Sequence, residues 1–216
     1  MNAREIDTRS DSSQTVPARI VIGVTGHRRL APEPWLTEEI RSAIRDIVRE
    51  ASPTKSAELA LTVLSPLAEG ADRLIAKEVL KFPGSRLEVV LPMAKDDYMQ
   101  DFNTAASRRE FHELLSQAVS IRRVSFNGSR PEVYELAGRY VVEQCDVLIA
   151  LWDGIPVGGE GGTAGTVDYA RKTGCPLIWI RTDSPGQVSH ELGTGLRQGR
   201  FGSSTRNACH DTGERS

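Results

Sequence analysis

Three short stretches carry the residue types and spacings that could do chemistry. The first is Thr25-Gly26-His27-Arg28-Arg29. His27 and Arg28 can donate to a phosphate or carboxylate, and Gly26 permits a tight turn or a close approach. The second is Ser65-Pro66-Leu67-Ala68-Glu69-Gly70-Ala71-Asp72-Arg73. A helix opening near Gly70 would offer free N–H groups to an anion, while Glu69 and Asp72 could meet ribose hydroxyls. Asp72 could equally cap the helix or offset its dipole. The third joins Trp152-Asp153-Gly154 to a glycine run, Gly158-Gly159-Glu160-Gly161-Gly162-Thr163, just before the helix-like TVDYARK. Such a loop can turn several N–H groups toward one phosphate, so Asp153, Gly161, Gly162 and Thr163 are candidates. No GxxxxGK[ST] pattern is present, which leaves a P-loop NTPase unsupported. Arg139, on the preceding helix-like stretch, is within plausible reach of the same place.

These turns matter because of the elements around them. Short apolar runs rich in branched residues read as strands: 19–25, 59–64, 87–91, 119–124, 146–152 and 176–180. Near-continuous apolar character fits strands covered on both faces. Helix-like stretches lie between them at 35–50, 71–81, 97–118, 131–144 and 163–173. This alternation predicts an α/β fold, a single Rossmann-like domain with a mainly parallel sheet and helices on both faces. Ligands in such sheets bind beyond the C-terminal ends of the strands, where all three stretches fall. The domain is expected over residues 18–181, between a disordered arm at 1–17 and a flexible, Gly- and Ser-rich tail at 182–216.

Composition narrows the function classes. The 216 residues carry 27 Lys and Arg against 29 Asp and Glu, a net charge of -2. That balance argues against a protein that coats nucleic acid, so nucleic acid is not expected as a partner. No apolar run reaches the ~18 residues of a membrane span, and the first residues lack the apolar stretch of a secretory signal. Three cysteines without CxxC spacing suggest a reducing compartment and no metal site, so a cytoplasmic protein without metal or cofactor is expected. A homo-oligomer remains open.

Together, VIGVTGHR, SPLAEGADRLIA, LEVVLPM, DVLIALWDG and GGTAGTVDYARKTGCPLIWI, in that order, resemble the SLOG superfamily. That group includes the Lonely Guy phosphoribohydrolases, the Rossmann domain of DNA-processing protein A and bacterial nucleotide-sensor domains. The resemblance covers about residues 19–181 and is nearest to uncharacterised bacterial members. It implies a Rossmann-like fold that holds a nucleotide or nucleotide-derived ligand at the strand ends. In the Lonely Guy enzymes a proline-glycine-glycine loop holds phosphate and a Glu on the next helix assists cleavage of the N-glycosidic bond. Here Gly161 and Gly162 match the paired glycines, and Glu160 stands in place of the proline. Without a gap Asp168 falls at the Glu position; with a one-residue gap Tyr169 does. The segment also resembles nucleoside deoxyribosyltransferases, with Thr166 at the position of their nucleophilic Glu. A hydroxyl does not replace a carboxylate nucleophile without an added base. The expectation is therefore a sensor-like module that binds a small nucleotide-type ligand. The rival is an N-glycosidic hydrolase or transferase acting on nucleoside monophosphates, with Asp168 as its acid.

Overall fold

The computed structural model describes residues 18–30, 33–51, 59–124, 128–156 and 162–191. The strands are β1 (Ala18–Gly26), β2 (Leu59–Ser65), β3 (Arg86–Leu91), β4 (Ala118–Arg123), β5 (Val147–Trp152), β6 (Leu177–Arg181) and β7 (Val188–Glu191). The helices are α1 (Pro34–Ala51), α2 (Ala71–Leu80), α3 (Lys95–Met99), α4 (Ala105–Leu115), α5 (Arg130–Gln144) and α6 (Thr163–Lys172). One sheet runs in the order β4-β3-β2-β1-β5-β6-β7. All its pairings are parallel except β6 with β7. This is the expected α/β architecture, extended by an antiparallel edge. That edge lies at 188–191, beyond the boundary expected at 181, because Val188 to Glu191 pair with β6 from Ile180 to Leu177. Residues 1–17 and 192–216 lie outside the described residues.

Side-chain alternation splits the core into two layers. Ile20, Ile22 and Val24 of β1 face α1, α2 and α4, joined by Ile40, Ile44, Ile75, Val79 and Phe111. Val21 belongs to the opposite layer, with Val141 and Val142 of α5 and Val167 and Ala170 of α6. This is the period-two pattern of a strand buried on both sides. Gly23 also faces α5: a Cβ there would sit 2.8 Å from Cys145 Sγ, so the missing side chain lets the helix approach. Cys145 and Cys175 are buried in that layer, as small core residues should be.

The stretch 97–118, expected as one helix, is broken into α3 and α4. Thr104 ends the first course and caps the second, its hydroxyl accepting from Ser107 N at 3.0 Å. The break drops Phe102 into the core and leaves Asp101 and Asn103 facing the strand ends.

From β1 the chain steps outward through β2, β3 and β4, then returns to place β5 on the other side of β1. The β1/β5 boundary is thus the topological switch point, where the turns after the two strands diverge and leave a crevice.

Candidate ligand cleft at the switch point

The turns after β1 and β2 are stitched together before any ligand is considered. His27 N donates to Leu151 O, and Ala71 N donates to His27 O, both at 3.0 Å. Gly70 has φ 78°, and a Cβ there would lie 2.3 Å from His27 O and 2.5 Å from Arg28 O. Gly26, at φ 156°, faces Ala71 Cβ and Leu151 O in the same way. The two glycines therefore serve the close approach of two backbone turns. Gly70, expected to bind ligand, has a structural role, which explains why its turn accompanies the TGHR turn.

Above this junction opens a cleft of about 850 Å³. Its walls include Thr25, Gly26, His27 and Arg28 from the first turn, Asp72 from α2, and Gly162 and Thr163 at the start of α6. Seven of the expected binding residues thus meet in one place. Thr166, one turn into α6, also lines it, its Oγ1 turned back to Gly162 O at 3.4 Å. Gly161 lies outside the described residues.

The other expected residues do not line the cleft. The Glu69 carboxylate accepts from Ser107 Oγ, tying its turn to α4. Arg139 pairs with Glu135 one turn earlier on α5, and its guanidinium lies 5.2 Å from the Tyr169 ring centroid. Asp153 contacts His27, which lines the cleft. Its Oδ1 is 2.9 Å from His27 Nε2 and accepts from Ile155 N. Desolvation would raise its pKa, but the bonds from Ile155 and His27 prevail and hold the carboxyl below its ordinary range. Asp168, expected as the acid, is 61% exposed and sits 3.6 Å from Arg171. The helix explains this: Thr166, Val167 and Ala170 form the buried stripe of α6, and Asp168 falls outside it.

The sequence reading missed the far wall. Tyr98 of α3, Asp101 from the α3–α4 break, and Arg130 and Tyr134 of α5 all line the cleft. Arg130 Nη1 lies 2.8 Å from both Asp101 oxygens, and Tyr134 Oη donates to the same carboxylate. Arg28 lies over the Tyr134 ring, 4.7 Å from its centroid. Burial opposes the Arg28 charge, but Tyr134, Tyr98 and Asp101 outweigh it and keep the guanidinium cationic. The Asp-Phe-Asn-Thr turn at 101–104 was the readable signal, since Asn and Thr favour turns and helix caps.

Two groups at the floor are deeply buried. Asp72, 5% exposed, accepts from Ala68 N at 3.1 Å. Desolvation raises its pKa to about 7, against the opposing pull of the Ala68 N–H, Arg28 and Arg73. Tyr98 is fully buried among Phe102, Phe111 and Tyr134, with ring centroids 5.0, 5.8 and 6.0 Å away. Its hydroxyl has no hydrogen-bond partner among the described residues. Desolvation, reinforced by the Asp72 charge, pushes its pKa well up, so the phenol keeps its proton. Arg73 beside them has a structural task. It donates to Leu67 O at 3.0 Å and to Ser107 O at 2.9 Å, and it stacks on Phe102, clamping α2 to α4.

Among the described residues, no helix is long and apolar enough to cross a membrane.

Comparison with known proteins adds little about this site. No family model matches the chain. The nitroreductase NfnB of Mycolicibacterium smegmatis (strain ATCC 700084 / mc(2)155) is 35% identical over 107 residues, 46% of this chain and 44% of that protein. The chain thus spans less than half of that curated relative. A solved structure of DNA processing protein A from Helicobacter pylori, described for its single-stranded DNA binding mode, aligns with a TM-score of 0.49 at 16% identity. The alignment covers 74% of this chain and 64% of that one. The expectation that nucleic acid is not a partner does not stand. The physical error was to read a whole-chain charge of -2 as a local property, when Arg28, Arg29 and Arg130 gather at one cleft. At that TM-score and identity the likeness assigns no DNA binding to this chain.

Proposed function

We propose that the cleft binds a small nucleotide or nucleotide-derived ligand, and that the protein works as a sensor-like module. One observation carries this reading: Arg28 and the start of α6 line the same cavity at the switch point of the sheet. The first N–H groups of a helix have no partner within it, and Gly162 provides no side-chain cap. Together with the Arg28 cation they suit an anionic group such as phosphate. A volume of about 850 Å³ suits a nucleotide-sized molecule. The SLOG-like motifs favour the same ligand class, and they supply three of the turns around the cavity.

Gly162→Val tests the anion end. Gly162 has φ -89° and ψ 179°, an extended conformation open to any residue, so the positive φ that would demand glycine is absent. Valine should therefore leave the melting temperature near that of the wild type. Its branched side chain beside the helix start should abolish binding of nucleoside mono- and diphosphates in calorimetry. Unchanged affinity would remove the start of α6 from the site.

The rival reading, cleavage or transfer at an N-glycosidic bond, draws support from one residue. A carboxyl that holds its proton near neutrality is what a general acid requires, and Asp72, not the exposed Asp168, meets that need. Free base released from AMP, surviving Asp168→Asn and lost in Asp72→Asn, would favour turnover over sensing. No release by the wild type would remove this reading.

A further inference from the structure

We propose that Tyr98 Oη and the Asp72 carboxyl form a hydroxyl-binding subsite at the floor of the cleft, taking the vicinal diol of a ribose. The inference rests on the nucleotide reading above and adds a specificity-determining residue, Tyr98, to it.

The starting observation is the unpartnered phenol. A buried hydroxyl without a hydrogen bond carries a desolvation penalty, so native structures rarely leave one idle without a reason. Three aromatic rings close off the body of Tyr98, while the residue also forms part of the cleft wall. An occupant of the cleft would supply the bond this hydroxyl lacks, reached by a small shift of the fully buried ring. Asp72 lines the same cleft, and its charge acts on the phenol. One Asp72 oxygen, Oδ2, is committed to Ala68 N. The other has no hydrogen bond among the described residues.

The chemistry of this pair selects the kind of group it takes. The phenol keeps its proton, so it can both donate and accept. The carboxyl is in a place that disfavours charge, so it too can keep a proton to donate and an oxygen to accept. A neutral group that also donates and accepts satisfies both, and an alcohol is the simplest. The cation, Arg28, and the start of α6 line other parts of the same wall. A ligand that fills the cleft thus needs an anionic group joined to a neutral, hydroxylated body. A ribose phosphate has that form, and its two hydroxyls offer one partner to each of the two protein groups.

The experiment compares AMP, GMP, CMP and UMP with their 2′,3′-dideoxy counterparts by calorimetry, on wild type and Tyr98→Phe. The wild type should bind at least one ribonucleotide about tenfold more tightly than its dideoxy form, the size expected for one or two net hydrogen bonds. Tyr98→Phe should reduce that preference to about twofold or threefold and leave dideoxy affinity unchanged. Its melting temperature should not fall, because the hydroxyl it removes bonds nothing in the unliganded protein. Equal binding of both forms by the wild type overturns the subsite and leaves the nucleotide reading standing. Binding of neither form, by folded protein, overturns both. A lower melting temperature in Tyr98→Phe, with ribose preference retained, makes the hydroxyl structural and overturns the subsite alone.

Discussion

Gly70→Ala should destabilise the protein by about 3 kcal/mol or more, a fall in melting temperature on the order of 10 °C. Two costs combine. At φ 78° an alanine adopts a conformation that opposes its Cβ, worth roughly 1–2 kcal/mol. The Cβ would also lie 2.3 Å from His27 O and 2.5 Å from Arg28 O, so backbone must move. Those carbonyls belong to the turn that carries the proposed anion site, so affinity should fall with stability. Gly84→Ala is the control. Its φ is 73°, but nothing lies within 4 Å of the added Cβ. It should lose only the conformational cost, about 1 kcal/mol. Equal losses in thermal melts of the two variants would show that the approach of the two turns contributes nothing.

The second large effect concerns Asp72 and pH. Its carboxyl has a pKa of about 7 in the folded protein, against an ordinary value of 3.8. Below the lower value both states hold the proton and the group contributes no pH dependence. Between the two values the folded protein keeps the proton and the unfolded chain has released it. Each rise in pH through that window therefore lowers stability, and the penalty is complete above the folded pKa. Three units at ~1.4 kcal/mol each set a ceiling of about 4 kcal/mol. Other groups titrate as well: Glu110 and Glu191, held low by their cationic partners, add stability as pH rises through the acid range. The difference between Asp72→Asn and wild type isolates the buried group. Asparagine keeps an acceptor for Ala68 N and cannot ionise. Its melting temperature relative to wild type should climb from pH 5 to pH 8, then level off. A difference that does not vary with pH would mean that Asp72 is ionised throughout.

These two residues show what could and could not be read from the sequence. The run Asp146–Trp152 is apolar without alternation, and a strand covered on both faces is its simplest explanation. β5 is indeed buried along its whole length. Local pattern was enough there, as it was for the glycine-marked turns, because strand ends and ligand crevices coincide in this architecture. Asp168 was misplaced although the signal was present, since the stripe Thr166, Val167, Ala170 already turned it outward. Tyr98 and Asp101 were different. They reach the cleft only because Thr104 breaks a helix and Phe102 enters the core, which periodicity alone does not reveal. Their pairing with Tyr134 and Arg130 joins positions some thirty residues apart, and only the folded chain brings them together.

The central claim is that this cleft receives an anionic nucleotide between Arg28 and the start of α6. Calorimetric titration of wild type and Arg28→Gln with nucleoside mono- and diphosphates and cyclic nucleotides tests it most directly. The account predicts saturable binding of at least one ligand by the wild type. It predicts a loss of about 10- to 100-fold in Arg28→Gln, the range for a hydrogen bond to a charged group. Folded wild-type protein that binds none of these ligands, or Arg28→Gln binding as tightly as the wild type, would contradict it.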